Sequence, residues 1–487
     1  MVIKPQMRQI SNWINGTESR PLTSSWAPKI NPHDGTQLSE FANSTAADVD
    51  DAVVAAKAAF RQWSQVPPVE RGLMLHRIAN LLESNSELIA TEVSLETGKS
   101  IVDARSEVAG AVAVGRFFAG EGQRLFGRTT TSGLVGRIPL TLRCPIGVAG
   151  LIVPANTPIA NIAWKVFPAL ICGNTAVLKS SEDAPGTASY FGEITRMANL
   201  LPGVLNIVHG FGPEVGVPLI SHQDVQIVSF TGSTVVGLQV AASCALTLKK
   251  VSLELGGKNP IVVCADSDIE LAVSWAVKSA FSNAGQRCAS GSRLIVEDAV
   301  YDQFKSLFCA AAERLRIGRD GSDLGPVINM RSLNRILEAV DEAIDGGASL
   351  ISGGKKSCKP GLEDGYYMEP TILEVSNHDL EILNNELFGP VVTIQRVSSF
   401  REALDEANRT RFGLTGAIHT ADWNTAMQFV TGSSVGVATV NGGTFGSEPH
   451  MPFGGLRMSG NGTREPGTEA LDVYSDIKTV YLNFKPW

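Results

Sequence analysis

The chain has 487 residues, of which 44% are hydrophobic and 18% charged, and its 41 basic and 49 acidic side chains leave a net charge of −8. This composition is typical of a globular protein, and the length predicts roughly two to four domains. The acidic balance and the lack of a basic tract of five or more Lys and Arg argue against nucleic-acid and anionic-membrane partners.

No segment reads as a signal peptide or a membrane span. Residues 1–20 lack the continuous apolar core of a signal peptide. The most apolar region, 147–173, is interrupted by three prolines and a lysine, so we expect a buried strand, a turn and a helix there. The seven cysteines are odd in number and form no CxxC motif, which predicts neither a disulfide framework nor a metal site. We therefore expect a cytoplasmic protein.

Helical patterns dominate the first part of the chain. Apolar residues recur at helical spacing over 46–63, and a second amphipathic helix over 69–82 follows a pair of prolines. Ser84, with Glu87 three residues later, fits a capping box and is predicted to be the N-cap of a third helix. Gly98 is the expected stop of that helix.

After Pro145, short β-branched runs alternate with helical segments. Strands are predicted at 147–153, 175–179, 204–208, 225–230 and 249–255, and then at 259–263, 292–296, 349–352, 369–374, 391–397 and 415–420. Helices near 159–171, 185–200 and 213–220 separate the strands of the first series. This alternation predicts βαβ units, hence an α/β fold with two doubly wound parallel-sheet domains and a boundary near residue 256. The C-terminal run, 477–487, is either an edge strand of its own domain or a strand added to another subunit's sheet.

Three polar clusters follow strands of the first series, at the edge where parallel sheets bind ligands. Lys179 and Glu182 are placed to hold a ribose, although a solvated loop is the alternative. Gly232 and Ser233 stand where the next helix begins, so backbone N–H groups and a hydroxyl can meet a pyrophosphate. Glu254 ends an otherwise apolar strand, and burial there raises a carboxyl pKa toward that of a usable base.

Cys288 is the candidate nucleophile. It stands in the stretch FSNAGQRCAS, after an apolar helical run and about one βαβ unit beyond Glu254. A thiol and a carboxyl at the ends of neighbouring elements suggest covalent catalysis, whereas most buried cysteines are only small hydrophobic side chains. Ala284 and Gly285 are expected to let the chain turn tightly enough to present the thiol.

Two of these stretches, LELGGKNP and FSNAGQRC, are similar to the active-site signatures of the aldehyde dehydrogenase superfamily. Further family motifs follow in order along nearly the whole chain: GNTAVLKSSE, LPGVLNIVHGFGPEVG, FTGSTVVG, YYMEPTIL, NNELFGPVV and MPFGGLRMSGNG. The ordered set is far more specific than any single motif. The chain therefore resembles NAD(P)-dependent, non-acylating aldehyde dehydrogenases.

The resemblance implies NAD-dependent oxidation of an aldehyde to a carboxylic acid through a thiohemiacetal and a thioester. Cys288 would attack the carbonyl carbon, while the Asn156 side-chain amide and the Cys288 N–H stabilise the oxyanion. Glu254 would activate the water that hydrolyses the thioester. Lys165 and Glu465 would relay the proton outward.

The resemblance also implies NAD as the cofactor, with NADP as the alternative. A carboxylate at Glu182 accepts a hydrogen bond from a ribose 2′-hydroxyl and repels a 2′-phosphate, which favours NAD. The implied cofactor-binding residues are Lys179, Glu182, Gly212, Phe230, Gly232, Ser233, Leu255, Glu386 and Phe388.

The sequence departs from the family pattern around the substrate tunnel. Ala155 and Thr157 stand where the family often has Trp and an aromatic residue, so we expect a wider, more polar tunnel and a polar aldehyde or semialdehyde as substrate. Arg287 and Arg457 either attract a substrate carboxylate or are structural. Thr463 is an apparent extra residue before the implied relay carboxylate. The implied substrate-binding residues are Thr157, Asn161, Trp164, Arg287 and Phe453.

We expect an NAD-binding domain formed by residues 1–125 and 146–255, and a catalytic domain formed by residues 256–460. A small β element for oligomerisation is expected at residues 126–145 and 470–487. A homodimer or homotetramer acting on a small-molecule aldehyde follows from the resemblance.

Three alternatives to this function stay open. A CoA-acylating dehydrogenase would usually lack an acid at Glu254, and a cysteine hydrolase would leave the dinucleotide motifs unexplained. A catalytically silent structural protein would have no need to keep Cys288, Glu254 and Asn156 together.

Overall fold

The computed structural model describes residues 8–319 and 321–485 as a mixed α/β structure. The α-helices of the described residues, α1 to α14 in chain order, are Ala46–Trp63, Pro68–Ser84, Ser86–Thr97, Ile101–Glu121, Pro158–Ile171, Pro185–Met197, Val217–Ser221, Thr234–Ala245, Ile269–Phe281, Asp298–Glu313, Met330–Asp345, Phe400–Asn408, Trp423–Gly432 and Ala470–Tyr474. Their strands, β1 to β19, are Gln9–Ile10, Asn12–Ile14, Thr17–Ser19, Trp26–Ile30, Gln37–Ala42, Arg137–Pro145, Val148–Ile152, Thr175–Lys179, Leu205–Val208, Val225–Thr231, Lys250–Glu254, Asn259–Val263, Gly291–Glu297, Ser349–Ser352, Thr371–Glu374, Val391–Val397, Thr415–His419, Val437–Val440 and Ser475–Asn483. The ends of the predicted layout, 1–7 and 486–487, lie outside the described residues.

The first large sheet contains the first predicted series of strands. Within the described residues its order is β11-β10-β7-β8-β9-β2-β3, and the five strands from β11 to β9 run parallel. Successive residues of β8 face opposite sides: Val177 packs in a cluster with Val49 of α1, and Leu178 in a cluster with Phe167 of α5. Helices therefore cover both faces, which explains why these strands are mostly apolar and buried along most of their length.

The second large sheet has the order β14-β15-β16-β13-β12-β17-β18 in the described part of the chain, and β14 alone among these strands is antiparallel to its neighbour. Stacked rings of Phe281, Phe304 and Phe308 from α9 and α10 pack in its core, with centroids 5.8–5.9 Å apart. The chain passes from β11 of the first sheet to β12 of the second through residues 255–258 only. The carboxyl end of β11 is thereby held next to the second sheet.

A separate antiparallel ribbon joins β6 to β19 over nine residue pairs, from Arg137 with Asn483 to Pro145 with Ser475. The C-terminal run thus pairs within its own chain, and side chains such as Ile138, Leu142 and Tyr481 on the ribbon are exposed. A further small sheet has the order β1-β5-β4. Among the described residues, no helix is both long enough and apolar enough to cross a bilayer.

The predicted capping box is wrong. Ser84 is the last residue of α2, and its hydroxyl donates to the Asn80 carbonyl at 2.9 Å instead of capping α3. Asn85 is the single residue between the two helices, and its side chain donates back into the last turn of α2. The extended N-cap conformation that a capping box requires has no room there. Gly98 does end α3, with the left-handed φ of 77° that favours glycine.

Candidate active site

The chain leaves α9 through a left-handed turn that leads to Cys288. Three successive residues of this turn have positive φ: Asn283 (53°), Ala284 (53°) and Gly285 (67°). A Cβ atom at Gly285 would collide with the carbonyl oxygen of Gly389, so glycine is required there. The predicted tight turn before the thiol is confirmed. We call residues 282–288 the nucleophile loop.

The Cys288 thiol is half-buried and lies near two acidic side chains. Burial raises the pKa of the thiol to about 12, and the Glu386 and Glu254 carboxylates add to that shift, while Arg287 acts against it. The Cys288 carbonyl accepts a hydrogen bond from the Asn259 side chain at 2.7 Å, which ties the nucleophile loop to β12. The thiol is therefore held in place and protonated at neutral pH.

Glu254, the last residue of β11, carries a buried carboxyl. Only 4% of the residue is exposed, and neither carboxylate oxygen has a hydrogen-bond partner among the described residues. Burial raises the pKa of this carboxyl well above its usual range, and repulsion from Glu465 adds to the effect, while Lys165 and Arg464 oppose it. A buried, unpaired carboxyl of this kind marks functional sites more often than structural ones.

Asn156 lies in the loop of residues 153–157 between β7 and α5, which we call the oxyanion loop. Its side-chain amide donates to the Gln286 carbonyl of the nucleophile loop at 2.9 Å. Its Oδ1 accepts from the Asn161 side chain at 3.4 Å, and Asn161 also donates to the carbonyl and hydroxyl of Thr157, each at 2.9 Å. The orientation of the Asn156 amide is thereby fixed, and its second N–H is available to a substrate oxygen.

Lys165 and Glu465 form a buried ion pair, although they stand 300 residues apart. The Lys165 ammonium donates to Glu465 Oε2 at 2.9 Å and to the Ser229 hydroxyl at 2.7 Å. The other carboxylate oxygen accepts from Ser229 at 2.6 Å and from Ser252 at 3.3 Å. The structure thus brings together the two residues that were expected to relay a proton.

A cavity of about 750 Å³ opens beside Cys288 and extends between the two sheets. The predicted residues that line it are Asn156, Thr157, Asn161, Trp164, Gly232, Ser233, Leu255, Cys288, Glu386 and Phe388. Thr234 and Val235, in the first turn of α8, also line it, so the N-terminus of this helix faces the cavity and suits an anion such as a pyrophosphate. The Ser233 hydroxyl caps α8 by accepting from the Val236 N–H at 3.4 Å.

Glu386 projects from the opposite side of the cavity. Burial raises the pKa of its carboxyl to about 7, while the Gly257 N–H, Lys258 and Arg335 oppose the shift. The Gly257 N–H donates to Glu386 Oε1 at 3.2 Å. A Cβ atom at Gly256 would collide with this carboxylate, so the glycine pair is what allows the carboxylate to approach the backbone.

The remaining predicted cofactor residues do not line the cavity. Lys179 and Glu182 form an ion pair at 3.0 Å. Burial acts to raise the pKa of the Glu182 carboxyl, but Lys179, a backbone N–H and Arg331 hold it below its usual range. The Phe230 ring is packed beneath Gly232 in the core, and Gly212 begins a single wide helical turn before α7.

The predicted substrate residues divide into two groups. Trp164 and Phe453 pack with ring centroids 5.3 Å apart, in an apolar cluster that includes the Cys288 side chain. Arg287 is directed elsewhere: its guanidinium lies 5.0 Å over the Phe445 ring and 3.5 Å from an Asp103 carboxylate oxygen. The Arg457 guanidinium donates to two backbone carbonyls and a serine hydroxyl, each at 2.8 Å. These contacts fit a structural role for Arg457, which was the alternative to attracting a substrate carboxylate.

Several polar residues around the site had no sequence signal that singled them out. They are Lys99, Glu107 and Asn283 next to the oxyanion loop, Ser229 and Ser252 beside Glu465, and Arg331, Arg335 and Arg411 in the cavity wall. Lys99 follows directly on the helix stop Gly98, and that is the one local hint the sequence contains.

Comparison with known proteins agrees with this fold. Residues 20–480 match the aldehyde dehydrogenase family. An aldehyde dehydrogenase of Emericella nidulans is 37% identical over 93% of this chain and 90% of its own length. The α-ketoglutaric semialdehyde dehydrogenase of Bacillus subtilis is 35% identical over 97% of both chains. The crystal structure of betaine aldehyde dehydrogenase from Staphylococcus aureus in complex with NAD+ superposes with a TM-score of 0.96 at 30% identity, covering 98% of this chain and 95% of that chain.

These matches span nearly the whole chain, so the protein is an oxidoreductase that acts on aldehydes. It belongs to the aldehyde dehydrogenase family, and its reaction is the oxidation of an aldehyde to a carboxylic acid.

The buried ion pair makes a testable contribution to stability. Lys165→Met is expected to lower the free energy of unfolding by about 3–5 kcal/mol, because Glu465 would be left as a buried charge without its cation. The double variant Lys165→Met/Glu465→Gln is expected to recover much of that loss. Urea denaturation followed by tryptophan fluorescence measures both differences. Lys57→Met is the control, because its exposed pair with Asp224 contributes at most about 1 kcal/mol. Equal losses of unfolding free energy in Lys57→Met and Lys165→Met would contradict the stabilising role assigned to the buried ion pair.

Proposed function

We propose that the protein oxidises a polar aldehyde or semialdehyde with NAD through a covalent intermediate on Cys288. The observation that carries the proposal is that the Asn156 amide and the Glu254 carboxylate converge on the Cys288 thiol. The Asn156 amide donates to the loop that carries Cys288, and the Glu254 carboxylate lies close enough to raise the pKa of the thiol. Nucleophile, oxyanion donor and base are the three components that acyl transfer requires.

In the first half of the reaction, the Cys288 thiol releases its proton to solvent, the thiolate sulfur bonds to the carbonyl carbon, and the electron pair of the C=O double bond moves to the oxygen, which becomes an oxyanion. The free N–H of the Asn156 amide and the Cys288 backbone N–H donate to that oxygen. Loss of one such donor typically raises the barrier by about 3–4 kcal/mol. The nicotinamide, when bound, supplies the hydride acceptor that converts the adduct to a thioester.

In the second half, Glu254 takes a proton from the water that attacks the thioester, and the C–S bond breaks with its electron pair staying on sulfur. The carboxylic acid leaves, and the thiolate takes a proton from solvent to restore the thiol. The raised pKa of Glu254 sets the direction of the pH dependence. Below that pKa the carboxyl is protonated and cannot accept a proton, so deacylation accelerates as pH rises through it. The Lys165–Glu465 pair, which also acts electrostatically on Glu254, carries the proton outward.

The residues around the cavity fit a dinucleotide. The N-terminus of α8 suits the pyrophosphate, and the buried Glu386 carboxylate suits ribose hydroxyl groups. Glu182 is held ionised by Lys179, so it accepts a hydrogen bond from a 2′-hydroxyl and repels a 2′-phosphate. These features favour NAD over NADP. The NAD+ complex of the Staphylococcus aureus relative supports the same choice.

Rapid mixing separates the two halves of the reaction. With aldehyde and NAD in excess, the wild type is expected to release a burst of NADH and then turn over steadily. Cys288→Ser is expected to lose the burst, because a hydroxyl is a far weaker nucleophile. Glu254→Gln is expected to keep the burst and lose steady turnover by about 100-fold, the lower end of general-base contributions. Stopped-flow absorbance at the NADH band measures both phases.

The same assay decides between the proposal and its rivals. Normal turnover by Cys288→Ser would refute covalent catalysis on this thiol. A steady rate that depends on added coenzyme A would identify an acylating dehydrogenase. No NADH formation by the wild type with any aldehyde would favour a hydrolase or a silent structural protein.

Cofactor selectivity tests the role of Glu182. Glu182→Gln is expected to raise the ratio of kcat/KM with NADP to that with NAD by about tenfold or more, because the like-charge contact with the 2′-phosphate is removed. Steady-state kinetics with both cofactors measures the ratio. Glu193→Gln, on the exposed part of α6, is the matched control and should leave it unchanged. An unaltered ratio in Glu182→Gln would place the adenosine ribose elsewhere.

The cavity wall favours a polar substrate, because Thr157 and Asn161 contribute a hydroxyl and an amide to it. We expect kcat/KM for succinic semialdehyde to exceed that for hexanal, and Asn161→Leu to reduce this preference. Steady-state kinetics with a panel of aldehydes gives the comparison. Equal values, or a preference for hexanal, would refute a polar-substrate role for this wall. The Bacillus subtilis relative, which is an α-ketoglutaric semialdehyde dehydrogenase, supports the expectation.

The assembly and location that we propose are a cytoplasmic homodimer or homotetramer. Exposed apolar side chains on the β6–β19 ribbon, including Ile138, Leu142 and Tyr481, support association through this element. All seven cysteines lie in the described part of the chain and are free, which suits a reducing compartment.

A further inference from the structure

Lys99 is a buried cation next to the active site that has no place in the mechanism above. It lies in the short link between α3 and α4, and only 2% of its side chain is exposed. Its ammonium donates to the Asn156 carbonyl oxygen at 2.6 Å and to Glu107 Oε2 at 2.5 Å. A lysine from the helical layer therefore contacts the backbone of the oxyanion loop directly.

Glu107, on α4, continues this connection to the far side of the oxyanion loop. While Oε2 pairs with Lys99, Oε1 accepts from the Ile159 N–H at 2.9 Å and the Ala160 N–H at 3.3 Å. These N–H groups belong to the first turn of α5, where backbone donors lack partners within the helix. One ion pair thus holds the loop at Asn156 and at the start of the helix that follows it.

Asn283 connects the same carbonyl to the nucleophile loop. Its side-chain amide donates to the Asn156 carbonyl at 3.1 Å and to the Gln286 carbonyl at 3.2 Å, from a residue with φ of 53°. Gln286 in turn accepts from the Asn156 side chain at 2.9 Å. The Asn156 carbonyl is therefore the point where Lys99, Asn283 and both loops meet.

We propose that the Lys99–Glu107 ion pair positions the Asn156 amide relative to the Cys288 sulfur. The pair does not touch substrate; it acts by fixing the backbone on which the oxyanion donor stands. This role rests on the proposed function of Asn156 and Cys288. A buried ion pair often adds little net stability over apolar side chains of similar size, so its placement against a catalytic loop points to geometry as its contribution. A displacement of about 1 Å at such a donor is enough to slow the chemical step about 100-fold.

The test is the rate of the NADH burst, which reports formation of the oxyanion and hydride loss. Lys99→Met leaves Glu107 as a buried unpaired charge, so the double variant Lys99→Met/Glu107→Gln is the main reagent. We expect a folded protein that binds NAD with unchanged Kd and shows a burst about tenfold to 100-fold slower than the wild type. The KM for NAD should stay unchanged, whereas the rate constant of the burst should fall. Lys99→Arg, which keeps the cation and its donors, is expected to recover part of the rate.

Lys249→Met is the matched control. Lys249 is a half-buried lysine whose ammonium also donates to two backbone carbonyls, those of Ile220 and His222, but it lies away from both loops. The burst rate of Lys249→Met should equal that of the wild type. A wild-type burst in folded Lys99→Met/Glu107→Gln would overturn the proposal.

Two further outcomes are distinguishable. If the double variant does not fold, Glu107→Gln alone carries the test, since glutamine keeps an acceptor for the Ile159 N–H but not the charge that holds Lys99. A wild-type burst rate in that variant would equally overturn the proposal, and a slower burst with unchanged NAD affinity would support it. Failure of the proposed function appears differently, as a burst that survives Cys288→Ser or is absent from the wild type.

Discussion

Burial of the Cys288 thiol beside the Glu254 and Glu386 carboxylates opposes its ionisation, and the rest of the site is arranged around that repulsion. Burial also raises the pKa of both carboxyls, so this environment disfavours negative charge at each of the three groups. The thiolate is therefore rare in the resting site.

Two lysines near this site are neutralised in buried ion pairs. Lys165 of α5 meets Glu465 near the C-terminus, and Lys99 meets Glu107 on α4. Glu254 is the exception, since its carboxylate has no hydrogen-bond partner within the described residues. Pairing fixes the geometry of the surrounding elements at a modest net gain in stability, whereas the unpaired carboxyl retains the shifted pKa that a base requires. The two ion pairs thus hold the surrounding elements in place, and the Glu254 carboxyl keeps its raised pKa in the same buried environment.

Most strands of the two large sheets could be predicted because they are short apolar, β-branched runs bounded by helical pattern; Thr175–Lys179 and Val391–Val397 agree to the residue. The edge strand Val437–Val440 of the second sheet was not predicted. The short strands before residue 46 could not be predicted, because they pair with segments far away in the sequence. Trp13, for example, pairs with Ile207. Cys288 and Glu254 could be proposed from their place at the ends of predicted elements, whereas Asn156, Lys165 and Glu465 came only from motifs shared with the family. Lys99 carried no such motif, and its contact with Asn156 spans 57 residues of sequence, which only the folded chain reveals.

Thr463 shows why a local departure from a motif need not displace a site residue. An extra residue before Glu465 left that assignment open, yet the carboxylate meets Lys165. The backbone of Glu465 pairs with that of Phe453 in both directions, at 2.7 and 3.0 Å, and this pairing fixes its register. The preceding loop takes up the extra length, with the Thr463 hydroxyl bonded to Ser252 at 2.9 Å. Register against a neighbouring segment, and not the residue count of the loop, therefore determines where the carboxylate lies.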